Sequence, residues 1–132
     1  MSTYYLKCFD GNVFFDATIR SERNGRKVIL VLETDRIHFT AEDHFPFLAL
    51  QKILLYLEDQ GVKLLCNGAR IDVYPSGFFM ESFLAYKLVM GKVAEAVDLV
   101  NVLKATDELE RIGTVSDQEA YWQKWLKMGK ER

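Results

Sequence analysis

VFFDATIRSERNGRKVILVLE, residues 13–33, decides the fold. Val13, Phe15, Ala17 and Ile19 fall on one face while Asp16, Thr18 and Arg20 fall on the other, the two-residue period of a half-buried strand. Asn24-Gly25 follows, a pair whose tolerance of positive φ suits a type I′ hairpin turn. Residues 27–33 are apolar on both faces, which places them centrally in a sheet. Upstream, Tyr4, Leu6 and Cys8 alternate with Tyr5, Lys7 and Phe9, and Asp10-Gly11-Asn12 is a turn signal. Downstream, Ile37, Phe39 and Ala41 alternate with His38, Thr40 and Glu42. The pattern predicts a four-stranded antiparallel meander.

After Asp43 the period changes. Phe47, Leu50, Leu54 and Leu57 recur at three- and four-residue steps, flanked by Ile53, Leu48 and Leu55, which predicts a core helix over residues 46–60. Pro46 suits its first turn and Gly61 its stop. Residues 62–66 return to strand character, Asn67-Gly68 signals a hairpin into residues 71–74, and Pro75-Ser76-Gly77 breaks that strand. Residues 83–90 read as a strand or a short helix, with the strand favoured. A helix is expected over residues 93–104, with Val93, Ala96, Val97, Val100 and Leu103 along one side. Ser116-Asp117-Gln118-Glu119 has the form of a capping box that opens a last helix carrying Tyr121, Trp122, Trp125 and Leu126. The fold class expected is α+β in one domain, residues 1–132: a mostly antiparallel sheet, a central helix packed on it and two further helices after residue 92.

The 132 residues are 49% hydrophobic and 27% charged, the balance of a globular domain rather than of a disordered, collagen-like or disulfide-rich chain. Seventeen basic residues against nineteen acidic ones leave a net charge of −2, so the basic excess of a nucleic-acid binder is missing. No signal peptide or membrane span is read, and Cys8 and Cys66 are expected as free thiols, which points to the cytoplasm.

Chemistry concentrates in residues 64–77, where a thiol, an amide, a guanidinium, a carboxylate, a phenol and a hydroxyl lie close together. Arg70 and Asp72, two apart on a strand, would point the same way. Such a cluster is either a site at one end of the sheet or a turn carrying one surface ion pair. Cys66 as a nucleophile would need a base such as His38 or His44, but it continues a buried strand face. His38 and His44 lack metal-ligand spacing, so no metal is expected. Gly91-Lys92 lacks the leading glycine and trailing hydroxyl of a phosphate loop, and Ser76-Gly77 lacks the leading glycine of a nucleophile elbow. No cofactor and no catalytic residue is expected. Phe78-Phe79-Met80 and the aromatic last helix either cap the domain's own core, the weightier reading, or form an interface core, whose composition they share.

The stretches 65–70 (Leu-Cys-Asn-Gly-Ala-Arg) and 72–77 (Asp-Val-Tyr-Pro-Ser-Gly), with Ala85-Tyr86, Gly91-Lys92 and Gly113-Thr114-Val115-Ser116, resemble a family of small uncharacterised bacterial proteins. By size and want of catalytic motifs, the chain is also similar in class to the immunity proteins of bacterial contact-dependent and polymorphic toxin systems. That likeness implies a cytoplasmic protein-binding module which occludes the toxin domain of a larger secreted protein, with no nucleic acid and no membrane involved. Arg70, Asp72, Tyr74, Phe78 and Phe79 are the contacts expected. Two alternatives stay open: a small enzyme or ligand-binding domain using a hairpin over residues 66–76, and a homodimer formed through a sheet edge or the last helix.

Overall fold

In the computed structural model, which describes residues 1–130, the chain opens with the expected meander. Strands β1 (Ser2–Phe9), β2 (Phe14–Asn24), β3 (Lys27–Thr34) and β4 (His38–Asp43) pair antiparallel with their sequence neighbours. The first turn is held by Asp10 Oδ1, which accepts from the Asn12 and Val13 amides, and the second by Gly25 at φ +63°. A two-residue strand, β5 (Lys63–Leu64), adds to the outer edge of β1, giving the order β4-β3-β2-β1-β5.

Alternation makes the sheet two-faced. Leu6, Cys8, Ala17, Ile19, Val28, Leu30, Leu32 and Ala41 are buried on the inner face. The outer face carries ion pairs such as Lys7–Asp16 and Arg20–Glu33. Helix α1 (Pro46–Asp59) lays Phe47, Leu50, Ile53, Leu54 and Leu57 on the inner face, and Tyr56 stacks on Phe39 of β4. Its end is a Schellman motif: Gly61, at φ +70°, donates to the Glu58 carbonyl while Val62 donates to that of Leu57.

A second sheet, β6 (Val73–Tyr74), β7 (Leu84–Lys87) and β8 (Leu99–Asn101), sits beside the first in the order β6-β7-β8. The strand expected over residues 83–90 is present as β7. Helix α2 (Val115–Lys130) closes the fold. Among the described residues these are the only two α-helices, and none is long and apolar enough to cross a membrane.

The helix expected over residues 93–104 is absent, so one helix follows residue 92 where two were expected. That segment forms one 3-10 turn, Ala96–Asp98, and then β8. The reason is competition for backbone. Leu84–Tyr86 pair with residues 99–101, and the Asn67 and Gly68 amides take the carbonyls of Lys104 and Val102. Helical periodicity gives way to these long-range bonds, leaving Val93 and Val97 exposed. Helix α2 starts on Thr114 rather than Ser116. The Thr114 hydroxyl accepts from the Asp117 amide while Asp117 accepts from the Thr114 amide, a capping box two residues earlier.

Gly68 marks the closest approach of the two halves. A Cβ there would lie 2.3 Å from Leu50 Cδ2 and 2.9 Å from Val102 Cβ. Gly68→Ala should therefore lower stability by about 1–3 kcal/mol, the usual cost of overpacking a tight core. Urea unfolding would show this as a fall in midpoint at unchanged slope.

Candidate functional site

Residues 66–76 do not form a hairpin. The strand residues on either side of Asn67-Gly68 pair elsewhere, β5 with β1 and β6 with β7. Between them Asn67–Ala69 make a 3-10 turn clamped from two sides. Cys66 bridges Ala105, and Arg70 bridges Ile112. The Asn67 side chain donates to the Asn101 carbonyl. The expected turn signal thus serves as a crossing between the two sheets.

Arg70 and Asp72 do meet, but inside the protein. Arg70 Nε and Nη2 donate to the two Asp72 carboxylate oxygens at 2.8 and 2.9 Å, with side-chain exposures of only 5% and 7%. Its third nitrogen, Nη1, donates to Thr106 Oγ1 and pairs with Glu108 Oε2 at 3.1 Å. Hydrogen bonding to Asp72 holds the Arg70 guanidinium above its ordinary value and so permanently charged.

Tyr74 is held in an aromatic stack. It lies 4.3 Å from Trp122 in nearly parallel planes and 5.1 Å from Phe47 edge-on, and its hydroxyl donates to Glu119 at 2.9 Å. Burial, with the Glu119 carboxylate beside it, pushes the Tyr74 phenol up to about 12. Of the remaining expected contacts, Phe78 is 88% exposed and Phe79 half-buried. The two rings meet edge-to-face at 5.0 Å, and Phe79 in turn packs on Tyr86. Arg70, Asp72 and Tyr74 are therefore engaged internally, while Phe78 presents its ring to solvent.

Burial pushes the Cys66 thiol up to about 12 and that of Cys8 to about 11. Neither is a thiolate near neutral pH. Both thiols are free and buried, whereas His38 and His44 lie exposed. Among the described residues, no group of three or more His, Cys, Asp or Glu side chains is placed to hold a metal.

Gln118 is the residue that sequence reasoning passed over. Only 1% exposed, it donates through Nε2 to the carbonyls of Gly68, Arg70 and Val73 at 2.8–2.9 Å and accepts from Gln51. A signal existed. Gln118 shares the 118/122/125 helical spacing with Trp122 and Trp125, which makes it a polar residue on an apolar stripe.

Two depressions border this crossing. One, of about 330 Å³, has Leu54, Val62, Leu64, Ala69 and Ile112 in its wall. Its carboxylates are already committed, Glu58 to the Val115 amide and Asp117 to the Thr114 amide. The other, of about 800 Å³, lies beside Arg70 and is lined by Lys7, Phe14, Asn67, Lys87, Thr106 and Glu108 among others. Lys63 lies on the first, whereas Lys7, Arg70 and Lys87 converge on the second. No family model matches the chain, and no curated protein is significantly similar to it.

Proposed function

We propose that the chain is a cytoplasmic protein-binding module that occludes a partner, as an immunity protein blocks the active site of a toxin domain. One observation supports the reading above others. The groups with chemistry to offer, Cys66, Arg70, Asp72 and Tyr74, are engaged inside the fold, while an aromatic ring stands 88% exposed at Phe78. Phe78 sits on a short 3-10 turn and packs edge-on against Phe79, so little side-chain freedom is lost when it is covered. A preorganised aromatic with a polar surround is the usual anchor of a protein interface. In this reading Phe78 makes the contact and Phe79 supports it. Asp72 and Tyr74 fix the segment from behind.

The tagged protein purified from its native cells should bring down a toxin domain of a larger secreted protein in near-equal amount, identified by mass spectrometry. A protein that elutes alone refutes the reading. With the partner in hand, Phe78→Ala should weaken binding by at least about 2 kcal/mol while the melting temperature stays put. Unchanged affinity would remove Phe78 from the interface. A ligand-binding role is the second reading, favoured by the 800 Å³ cleft beside Arg70. A partnerless protein that melts higher in the presence of a small metabolite would establish it.

A further inference from the structure

Arg70 is held like a tool in a clamp. Two of its three nitrogens are fixed by Asp72 deep in the fold, which leaves Nη1 as the donor directed at the cleft. What meets Nη1 there is a carboxylate, that of Glu108, on a side chain 45% exposed to solvent. Glu108 belongs to the short connection that follows β8, and its grip on Arg70 is one ion pair. Two lysines share the cleft. Lys7 is paired with Asp16, whereas Lys87 makes no ion pair among the described residues. The rim carries Phe14, 54% exposed.

We infer that this cleft is a receptor for an acidic side chain of the protein partner, and that Glu108 fills the place of that side chain in the free protein. The inference rests on the protein-binding reading above and names the chemistry recognised. The preorganised Arg70 fork supplies a charge-assisted bond whose ordering cost is already met by Asp72. Lys87 supplies a second cation, and Phe14 a surface for the apolar part of the partner. The 800 Å³ space exceeds what one carboxylate fills, which suits a side chain presented on a partner surface. Asp107 and Glu108 on the wall disfavour a polyanion such as nucleic acid.

The test uses the intact protein, labelled with ¹⁵N, and the peptide N-acetyl-Gly-Glu-Gly amide as probe. The peptide should shift the Arg70 Nε–H and Thr106 amide resonances, with weak saturable binding, and its glutamine counterpart should not. Glu108→Gln, which removes the competing charge at Nη1 while keeping size, should tighten the peptide about 2–5-fold, and Lys87→Ala should weaken it by a similar factor. Neither residue is part of the core, so both variants should fold. No shift at Arg70, or an unchanged affinity in Glu108→Gln, overturns the inference. So does succinate binding about tenfold more tightly than the peptide, which would make this a site for a free small acid. The two proposals fail separately. A partner that co-purifies without any response at Arg70 removes only the cleft, and a responsive cleft in a protein that elutes alone removes the partner.

Discussion

Gln118→Leu should destabilise the protein by at least about 3 kcal/mol, because leucine matches the volume but offers no donor. The wild-type amide nitrogen serves three carbonyls, those of Gly68, Arg70 and Val73, with two hydrogens, so one hydrogen is shared. Those carbonyls belong to the crossing between the two sheets, and water does not reach the place. Each buried acceptor left without a partner costs about 1–3 kcal/mol. Gln118→Glu should be worse near neutral pH, since a carboxylate would face three carbonyl dipoles. Burial raises that acid's folded pKa above its unfolded one, so its penalty shrinks in acid, where the protonated form keeps one donor. Urea midpoints for the two variants, the second in neutral and acidic buffer, decide the matter. A loss under about 1 kcal/mol for the leucine variant would mean the amide is not the lock described.

Breaking the buried ion pair should have a comparable effect. Asp72→Ala leaves the Arg70 guanidinium inside the protein with only Glu108 and Thr106 to meet it, and a loss of about 3–5 kcal/mol is expected. Arg70→Met should cost a similar amount by stranding the carboxylate. The double change, Arg70→Met with Asp72→Leu, should cost less than either single one, because it removes both desolvated charges together. A thermodynamic cycle over the four proteins measures that coupling. Additive losses would show that the two residues act through their neighbours rather than through each other.

The sequence carried the first half of the fold well, and the reason is locality. Strands β1 to β4 pair with their neighbours in the chain, and their turns sit on Asp10-Gly11-Asn12 and Asn24-Gly25, so period and turn chemistry suffice. The same holds for α1, bounded by Pro46 and Gly61. Reading failed where partners are distant. Nothing near Asn67 announces that its amide will bond to Lys104, or near Val102 that its carbonyl will bond to Gly68. Without those bonds residues 93–104 have a plausible helical stripe, and Asn67-Gly68 a plausible hairpin turn. The cluster of polar types in residues 64–77 was visible, but not the burial that turns Arg70 and Asp72 inward. Gln118, whose side chain organises that burial, reaches the crossing from across about fifty residues of chain.

That separation has a consequence for the order of assembly. During synthesis the meander and α1 emerge with their pairing partners already made, apart from β5, which joins the edge of β1 directly after α1. The carbonyls of Gly68, Arg70 and Val73 emerge next, and their donor comes from helix α2, up to 50 residues later in the chain. Until then the crossing is open, with its carbonyls met by solvent, and the nascent chain holds one finished layer and one unfinished. A chain interrupted before Gln118 would keep that second layer open, so helix α2 bolts the crossing as well as walling the fold.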